Sequence, residues 1–286
     1  MQNSIPPIGS YDVFRDVENW DAEQARYWIN ALNQRAAAPD QVALRARLLE
    51  QSGLQAGDTV LELGCGTGRL LSDLAKTAGP SGHALGLEPQ PFLAQEAERL
   101  ILERKLAATA RVLPVRAEKI PLLSASVDVC VAQTVLIHMP ADMLVRVFAE
   151  VKRVLKPGGR FVSADQDGDT WIIDHPQRAL TRSVIQFNSD YRYADGWTGR
   201  YLRRLFIQNG FEDIRIQAWP HSDTERGSYL HTMALRIAES AAEHGAISED
   251  ECKRWLSDLE KTTAEGAFFS SICYYCCQGR KPSVRE

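Results

Sequence analysis

Residues 60–71 read VLELGCGTGRLL, and the fold turns on how that stretch is parsed. Val60-Leu61-Glu62-Leu63 is a short apolar run of the kind that forms a buried strand. Gly64, Gly66 and Gly68 punctuate the next five residues, where glycine permits a tight turn and close approach of a ligand to backbone N–H groups. From Arg69 to Ala78 the spacing is helical. Moving upstream, residues 20–36 and 39–52 show helical apolar spacing, and Gly53 is a helix stop. Downstream, His83 to Leu87 reads as a second strand and is followed by a helix to about Lys105. Strands follow over 110–115 and 127–132, then a helix over 141–155 and a fifth strand over 160–164. Strand and helix thus alternate five times, the texture of a doubly wound, mostly parallel α/β sheet. Right-handed crossovers place the strand C-termini along one edge, and the ligand crevice of such sheets lies there.

The flanks complete the outline. Residues 1–18 read as an irregular arm, residues 175–210 and 228–264 as helical, Phe211 to Trp219 and Ala267 to Cys277 as two further strands, and Lys281 to Glu286 as a loose tail. The 286 residues suffice for one α/β domain, and 44% apolar with 24% charged residues is an ordinary globular composition. A net charge of −4 gives no basic footprint for nucleic acid. The prolines and glycine of MQNSIPPIGSYDVF do not fit a signal peptide, and no apolar window of about 18 residues suggests a membrane span. Six cysteines without a disulfide-like framework fit a reducing, cytoplasmic setting. Cys273 and Cys276 have C-x-x-C spacing, but with no second pair for zinc they read as buried thiols.

The glycine turn excludes some ligands. A dinucleotide fingerprint needs glycine where Arg69 stands, and a phosphate-binding P-loop needs a closing Gly-Lys-Ser/Thr. Glu62, at the strand tip, repels phosphate and suits an ammonium. Glu88, at the tip of the second strand, is placed to accept from a ribose diol. Together they point to a nucleoside with a cationic tail and no phosphate.

On these residues the chain resembles the class I S-adenosylmethionine-dependent methyltransferases. VLELGCGTGRLL is similar to their first motif and GLEP to their second. RAEKIPLLSASVDVCVAQTVLIHM and EVKRVLKPGGRFV resemble segments of the branch containing the ubiquinone/menaquinone C-methyltransferases. The match is dense over about residues 55–165. It implies a Rossmann-like, seven-stranded sheet, with residues 1–54 covering the site and residues 55–286 forming the methyltransferase domain. Insertions near 175–197 and 228–264 would form a lid. It also implies S-adenosyl-L-methionine as cofactor. Glu62, Gly64, Cys65, Gly66 and Gly68 would hold the methionine end, Glu88 the ribose, and Pro89, Ala117 and Glu118 the adenine. Gln133 and Leu136 would line the sulfonium region, and Tyr11 would cover the site from the arm. Arg116 departs from the family, which often has an aspartate there to accept from the adenine amino group; arginine cannot accept.

The acceptor side is less determined. His138 is the catalytic candidate, either as a base for the acceptor or as a donor to a carbonyl at a turn. The run Asp165-Gln166-Asp167-Gly168-Asp169-Thr170 does not match an EF-hand. It reads in three ways: a solvated turn and helix cap, an anchor through Asp165 or Asp167 for a polar or cationic acceptor, or a catechol-type metal site; no metal is expected. Tyr11, Phe14, Trp20, Trp171, Phe187, Tyr191, Tyr193 and Trp197 are candidate roofing aromatics, of which two or three are expected to serve. Phe14, Trp171 and Tyr191 are taken with Asp165 and Asp167 as substrate-binding candidates. The expected activity is methylation, at carbon, oxygen or nitrogen, of a secondary metabolite or quinone-like molecule by a monomer or homo-oligomer. The alternatives are a binding-only regulatory protein of the same fold, and a protein or nucleic-acid methyltransferase.

Overall fold

A computed structural model of the chain describes residues 8–283. Residues 1–7 of the expected arm and 284–286 of the expected tail lie outside the described residues. Two helices precede the sheet. α1 (Ala22–Ala37) opens on a capping box in which the Asp21 carboxylate accepts from Glu23 and Gln24 N–H while Gln24 reaches back. α2 (Pro39–Ser52) starts on proline and stops at Gly53 in the left-handed region.

Then strands and helices alternate: β1 (Thr59–Leu63), α3 (Arg69–Ala78), β2 (His83–Leu87), α4 (Pro91–Glu103), β3 (Ala110–Leu113), β4 (Val127–Gln133), α5 (Ala141–Val154) and β5 (Leu155–Gln166). A two-residue strand β6 (Ile172–Ile173), helices α6 (Arg178–Tyr191) and α7 (Thr198–Gln208), and strand β7 (Glu212–Asp223) follow. Helices α8 (Tyr229–Glu243) and α9 (Glu249–Ala264) lead into β8 (Ser270–Arg280). β3, β2, β1, β4 and β5 pair in that order and in parallel. β8 runs antiparallel between β5 and β7, and its first residues also pair with β6. The strand order therefore reverses between β1 and β4, and the crevice opens above their C-termini.

Alternation along the strands feeds two cores. Val129 and Val131 of β4 face the layer of α2, α3, α8 and α9, while Cys130 and Ala132 face α5 and α7. On the second face Phe148, Phe161, Phe206 and Phe211 interlock, with Phe161 and Phe206 stacked at 5.0 Å. Each such buried ring contributes roughly 1.5–3 kcal/mol. A third, smaller cluster (Val17, Trp20, Ala25 and Leu93) fastens the arm and α1 to α4.

The sheet differs from expectation at its margins. β5 begins at Leu155, five residues before the expected start at 160, and runs through Lys156-Pro157-Gly158-Gly159 because Gly158 and Gly159 exchange backbone bonds with Lys281. β7 continues past Pro220; as an edge strand with β8 on one side only, it can carry a residue without an N–H. β8 starts three residues later than its apolar run, at Ser270. β6 was not foreseen, being too short to show a pattern.

Candidate active site

The turn after β1 is built by three glycines at positive φ, +59° at Gly64, +52° at Gly66 and +78° at Gly68. Their surroundings differ. A Cβ on Gly64 would stand 2.8 Å from Val135, and one on Gly68 would stand 2.8 Å from Ala97 of α4. At Gly66 the nearest atom would be Leu32 Cδ1 at 3.9 Å, so this glycine alone opens onto free space. Gly68 is packing: it caps α3 and lets α4 approach, and it does not line the cavity.

That space is a cavity of about 250 Å³. Glu62 and Glu88 form one end. Glu88 accepts from Gly66 N–H at 2.9 Å and Gln90 N–H at 3.0 Å, and burial pushes its carboxyl up to about 7 against the pull of those two bonds. Glu62 is 3% exposed, its Oε2 has no hydrogen-bond partner, and burial together with the neighbouring Glu88 raises its pKa well above the usual range. A buried carboxylate oxygen without a donor is costly. An ammonium from a ligand would satisfy it, and the open face of Gly66 gives that ligand backbone to lie on, so the residues present fit the expected cofactor.

Pro89, Ala117, Glu118, Cys65, Gln133, Phe14 and His138 line the same cavity. Burial pushes the Cys65 thiol well above its ordinary value, which removes it as a nucleophile. Arg116 also reaches the rim, but its guanidinium is clamped by Glu18 and donates to the Arg15 carbonyl at 3.1 Å. The residue that departs from the family pattern thus ties down the arm.

His138 does not bond a carbonyl. Its Nδ1 lies 2.9 and 3.1 Å from the two oxygens of Asp12, a carboxylate of the arm. Asp12 also accepts from the N–H groups of Phe14 (2.9 Å) and Ala194 (2.8 Å). A proton on Nδ1 leaves Nε2 as the accepting nitrogen of the ring. Phe14 and Tyr193 flank the imidazole at 4.6 and 5.5 Å.

Several expected site residues stand elsewhere. Tyr11 packs against His244 at 3.8 Å and beside Tyr191, which is itself half-buried against Phe187. Leu136 is wholly buried in the second core. Asp165 is buried with its pKa pushed up to about 6 by desolvation, and accepts from Ile137 N–H and Ser163 Oγ. Asp167 pairs with Arg200 at 2.6 Å. Trp171 is core and donates to Ser270 Oγ at 2.9 Å. None of these lines the cavity. Polar residues at a strand exit and aromatics on helices look alike in sequence whether they face a ligand or a neighbour. Of the roofing aromatics, Phe14 and Tyr193 reach the site. Among the described residues no group of three or more His, Cys, Asp or Glu could hold a metal ion, and all six cysteines are free.

Some lining residues gave no signal in the sequence. Arg35 of α1 donates to Thr134 Oγ1 at 2.5 Å. Trp28, Asn188, Arg192, Tyr229 and Arg236 line the side formed by α1, α6 and α8. Each occupies a helical position where a solvated or core residue would look the same.

Comparisons with known proteins agree with the geometry. Residues 60–159 match the family described as a methyltransferase domain. The demethylmenaquinone methyltransferase of Lactococcus lactis subsp. lactis is 33% identical over 187 residues, covering 60% of this chain and 73% of that protein. An uncharacterized 37.1 kDa transposon-encoded protein of Streptomyces fradiae is 29% identical over 252 residues, or 86% of this chain and 69% of its own length. Among solved structures, a Bacillus halodurans protein described only as resembling a methyltransferase superposes with a TM-score of 0.57. It is 15% identical, over 84% of this chain and 99% of that one.

Proposed function

The chain belongs to the class I S-adenosylmethionine-dependent methyltransferases, in the branch that includes the demethylmenaquinone methyltransferases, and from that premise we propose that it methylates a small organic acceptor held against His138. The observation that carries this reading is a single cavity joining the unpartnered Glu62 carboxylate and the open face of Gly66 to the His138–Asp12 pair.

In this reading Glu62 takes the ammonium of the cofactor's amino-acid end. Arg35, which has no carboxylate partner among the described residues, takes its carboxylate. Glu88 accepts from the ribose hydroxyls, and Pro89, Ala117 and Glu118 border the base. When bound, the cofactor supplies a methyl group on a positively charged sulfur, already activated toward in-line attack. The protein's task is then to orient the acceptor, which is worth about 7–11 kcal/mol where the geometry is right. Where the acceptor keeps its proton until attack, His138 Nε2 removes it, and Asp12 holds the ring and stabilises the imidazolium that forms.

The test uses labelled cofactor with a panel of phenols, quinols, amines and indoles, together with calorimetric titration of S-adenosylhomocysteine. Expected are binding of the product in the micromolar range or tighter, about −8 kcal/mol or better, and label in at least one acceptor. His138→Ala should stop transfer while leaving product affinity unchanged. Indifference to both forms of the cofactor at about 1 mM, with uptake of NAD or ATP instead, would sink the proposal. Tight binding with label in no acceptor would favour the binding-only alternative.

A further inference from the structure

Two guanidinium groups on the acceptor side of the cavity have no counter-charge. Arg192 directly follows α6 and Arg236 lies within α8, and neither forms an ion pair among the described residues. Arg192 Nη1 reaches only the Tyr11 carbonyl, at 3.4 Å, and Arg236 lies over the Trp28 ring at 5.0 Å. The Nε atoms of both are buried and without a partner. Asn188, one helical turn before Arg192, is fully buried and lines the same cavity, and apart from its approach to the Tyr193 hydroxyl its amide finds no hydrogen-bond partner. Burial and then the repulsion of Arg236 lower the pKa of Arg192.

Such an arrangement is unfavourable as it stands. Two other arginines of the cavity have carboxylate partners, Arg45 in Asp73 at 3.5 Å and Arg116 in Glu18, while Arg35 and Arg69, at the cofactor end, have none among the described residues and meet Thr134 Oγ1 and Asn33 Oδ1 instead. The carboxylate nearest in effect to Arg192 is that of Asp12, which is already committed to His138 and two backbone N–H groups. A charge that completes this pair must therefore arrive with a ligand. In the methyl-transfer reading, on which this inference rests, the cofactor's one carboxylate goes to Arg35 beside Thr134, so the missing anion belongs to the acceptor.

We propose that the acceptor carries an oxyanion, a carboxylate or a phosphate, seated on the guanidinium groups of Arg192 and Arg236 with the Asn188 amide as a further donor. The planar fork of arginine matches such groups through paired N–H···O bonds. The walls next to the anion are Trp28, Tyr193 and Tyr229, so the body it is attached to is flat and unsaturated. Tyr193, beside His138, ties the anion subsite to the reacting end. The substrate class is thus a compact aromatic or otherwise conjugated acid, anchored at one end and methylated at the other.

The experiment titrates the full chain, saturated with S-adenosylhomocysteine, with two matched pairs: salicylate against methyl salicylate, and phenyl phosphate against phenol. At least one anion should bind ten or more times more tightly than its neutral counterpart, and inorganic phosphate should compete with it. Arg192→Gln and Arg236→Gln should each reduce that preference about tenfold, with the affinity for S-adenosylhomocysteine and for the neutral probes unchanged, and the Lys variants should recover part of it. Equal affinity for charged and neutral members, no saturable binding of either anion below about 10 mM, or equal losses for both members in the Gln variants would overturn the proposal. If a Gln variant does not fold, the wild-type preference and the phosphate competition decide. Failure to bind S-adenosylhomocysteine would remove the methyl-transfer reading itself. Normal product binding without anion preference would remove only this assignment.

Discussion

Gly66 and Gly68 both sit at positive φ, but a Cβ at Gly66 would enter the cavity while one at Gly68 would strike Ala97. The backbone strain alone costs about 1–2 kcal/mol at either position. Gly68→Ala adds overpacking of about 1–3 kcal/mol, so its melting temperature should fall by roughly 4–10 °C. Gly66→Ala should melt only roughly 2–4 °C lower, from the backbone strain alone, and lose ten-fold or more in affinity for S-adenosylhomocysteine, measured by calorimetry; the reverse pattern would contradict the cradle. The sequence marked all three glycines together, since spacing shows that a turn is tight but not which Cα–H faces the ligand. Glu88 offers a pH-dependent counterpart. Its folded pKa, about 7, stands above its ordinary value. The folded chain therefore holds a proton that the unfolded chain releases, and this contribution to stability is lost as pH rises toward 7. Acceptance from two ribose hydroxyls needs the ionised form, so product affinity should strengthen by up to tenfold from about pH 6 to about pH 8. Glu88→Gln should bind more weakly with a flat profile. A wild-type profile of the same flatness would refute the ribose assignment.

The arm works as an element because several weak attachments act together. Gly9 and Tyr11 donate to the carbonyls of Asp190 and Tyr191, Trp20 Nε1 donates to Val13 O, and Glu18 holds Arg116. Asp12 joins that attachment to the proposed base, since the same carboxylate accepts from the Ala194 backbone and pairs with the His138 ring. Asp12→Asn should lower turnover on an identified acceptor by about a hundredfold, through loss of ring orientation, with product affinity changed less than about threefold. An unchanged rate with a lowered melting temperature would make Asp12 merely structural. Within residues 1–18 the aromatics pointed to Phe14, which lines the cavity, but nothing marked Asp12 or Glu18, because a lone acid in an irregular segment looks the same whether solvated or paired. The central helices and strands were legible nearly to the residue because apolar periodicity and glycine stops agree there. β5, β7 and β8 were misjudged at their ends because pairing partners far away in sequence, Lys281 for Gly158 among them, extend a strand beyond its apolar run.

At the scale of the whole molecule, five parallel strands in order, three of them followed by a crossover helix, are enough to dictate a doubly wound sheet, and the crevice at its reversal point follows from topology. The acceptor side does not follow, because it is assembled from the arm, α1, α6 and α8, which approach one another only after folding. A ligand filling the cavity would touch all of these pieces and the tips of β1 and β2. Saturation with S-adenosylhomocysteine at about 100 times its dissociation constant should add about 2.7 kcal/mol and raise the melting temperature by roughly 5 °C. A shift under about 1 °C at that saturation would mean that the ligand does not select the folded site. β8 has a different consequence. It lies between β5 and β7 yet follows both in the chain. During translation at about 5–20 residues per second, β5 waits on the order of 5–20 s for its neighbour, while the nascent polypeptide displays an unpaired edge. That interval is when ribosome-associated chaperones would be needed to prevent strand-to-strand aggregation.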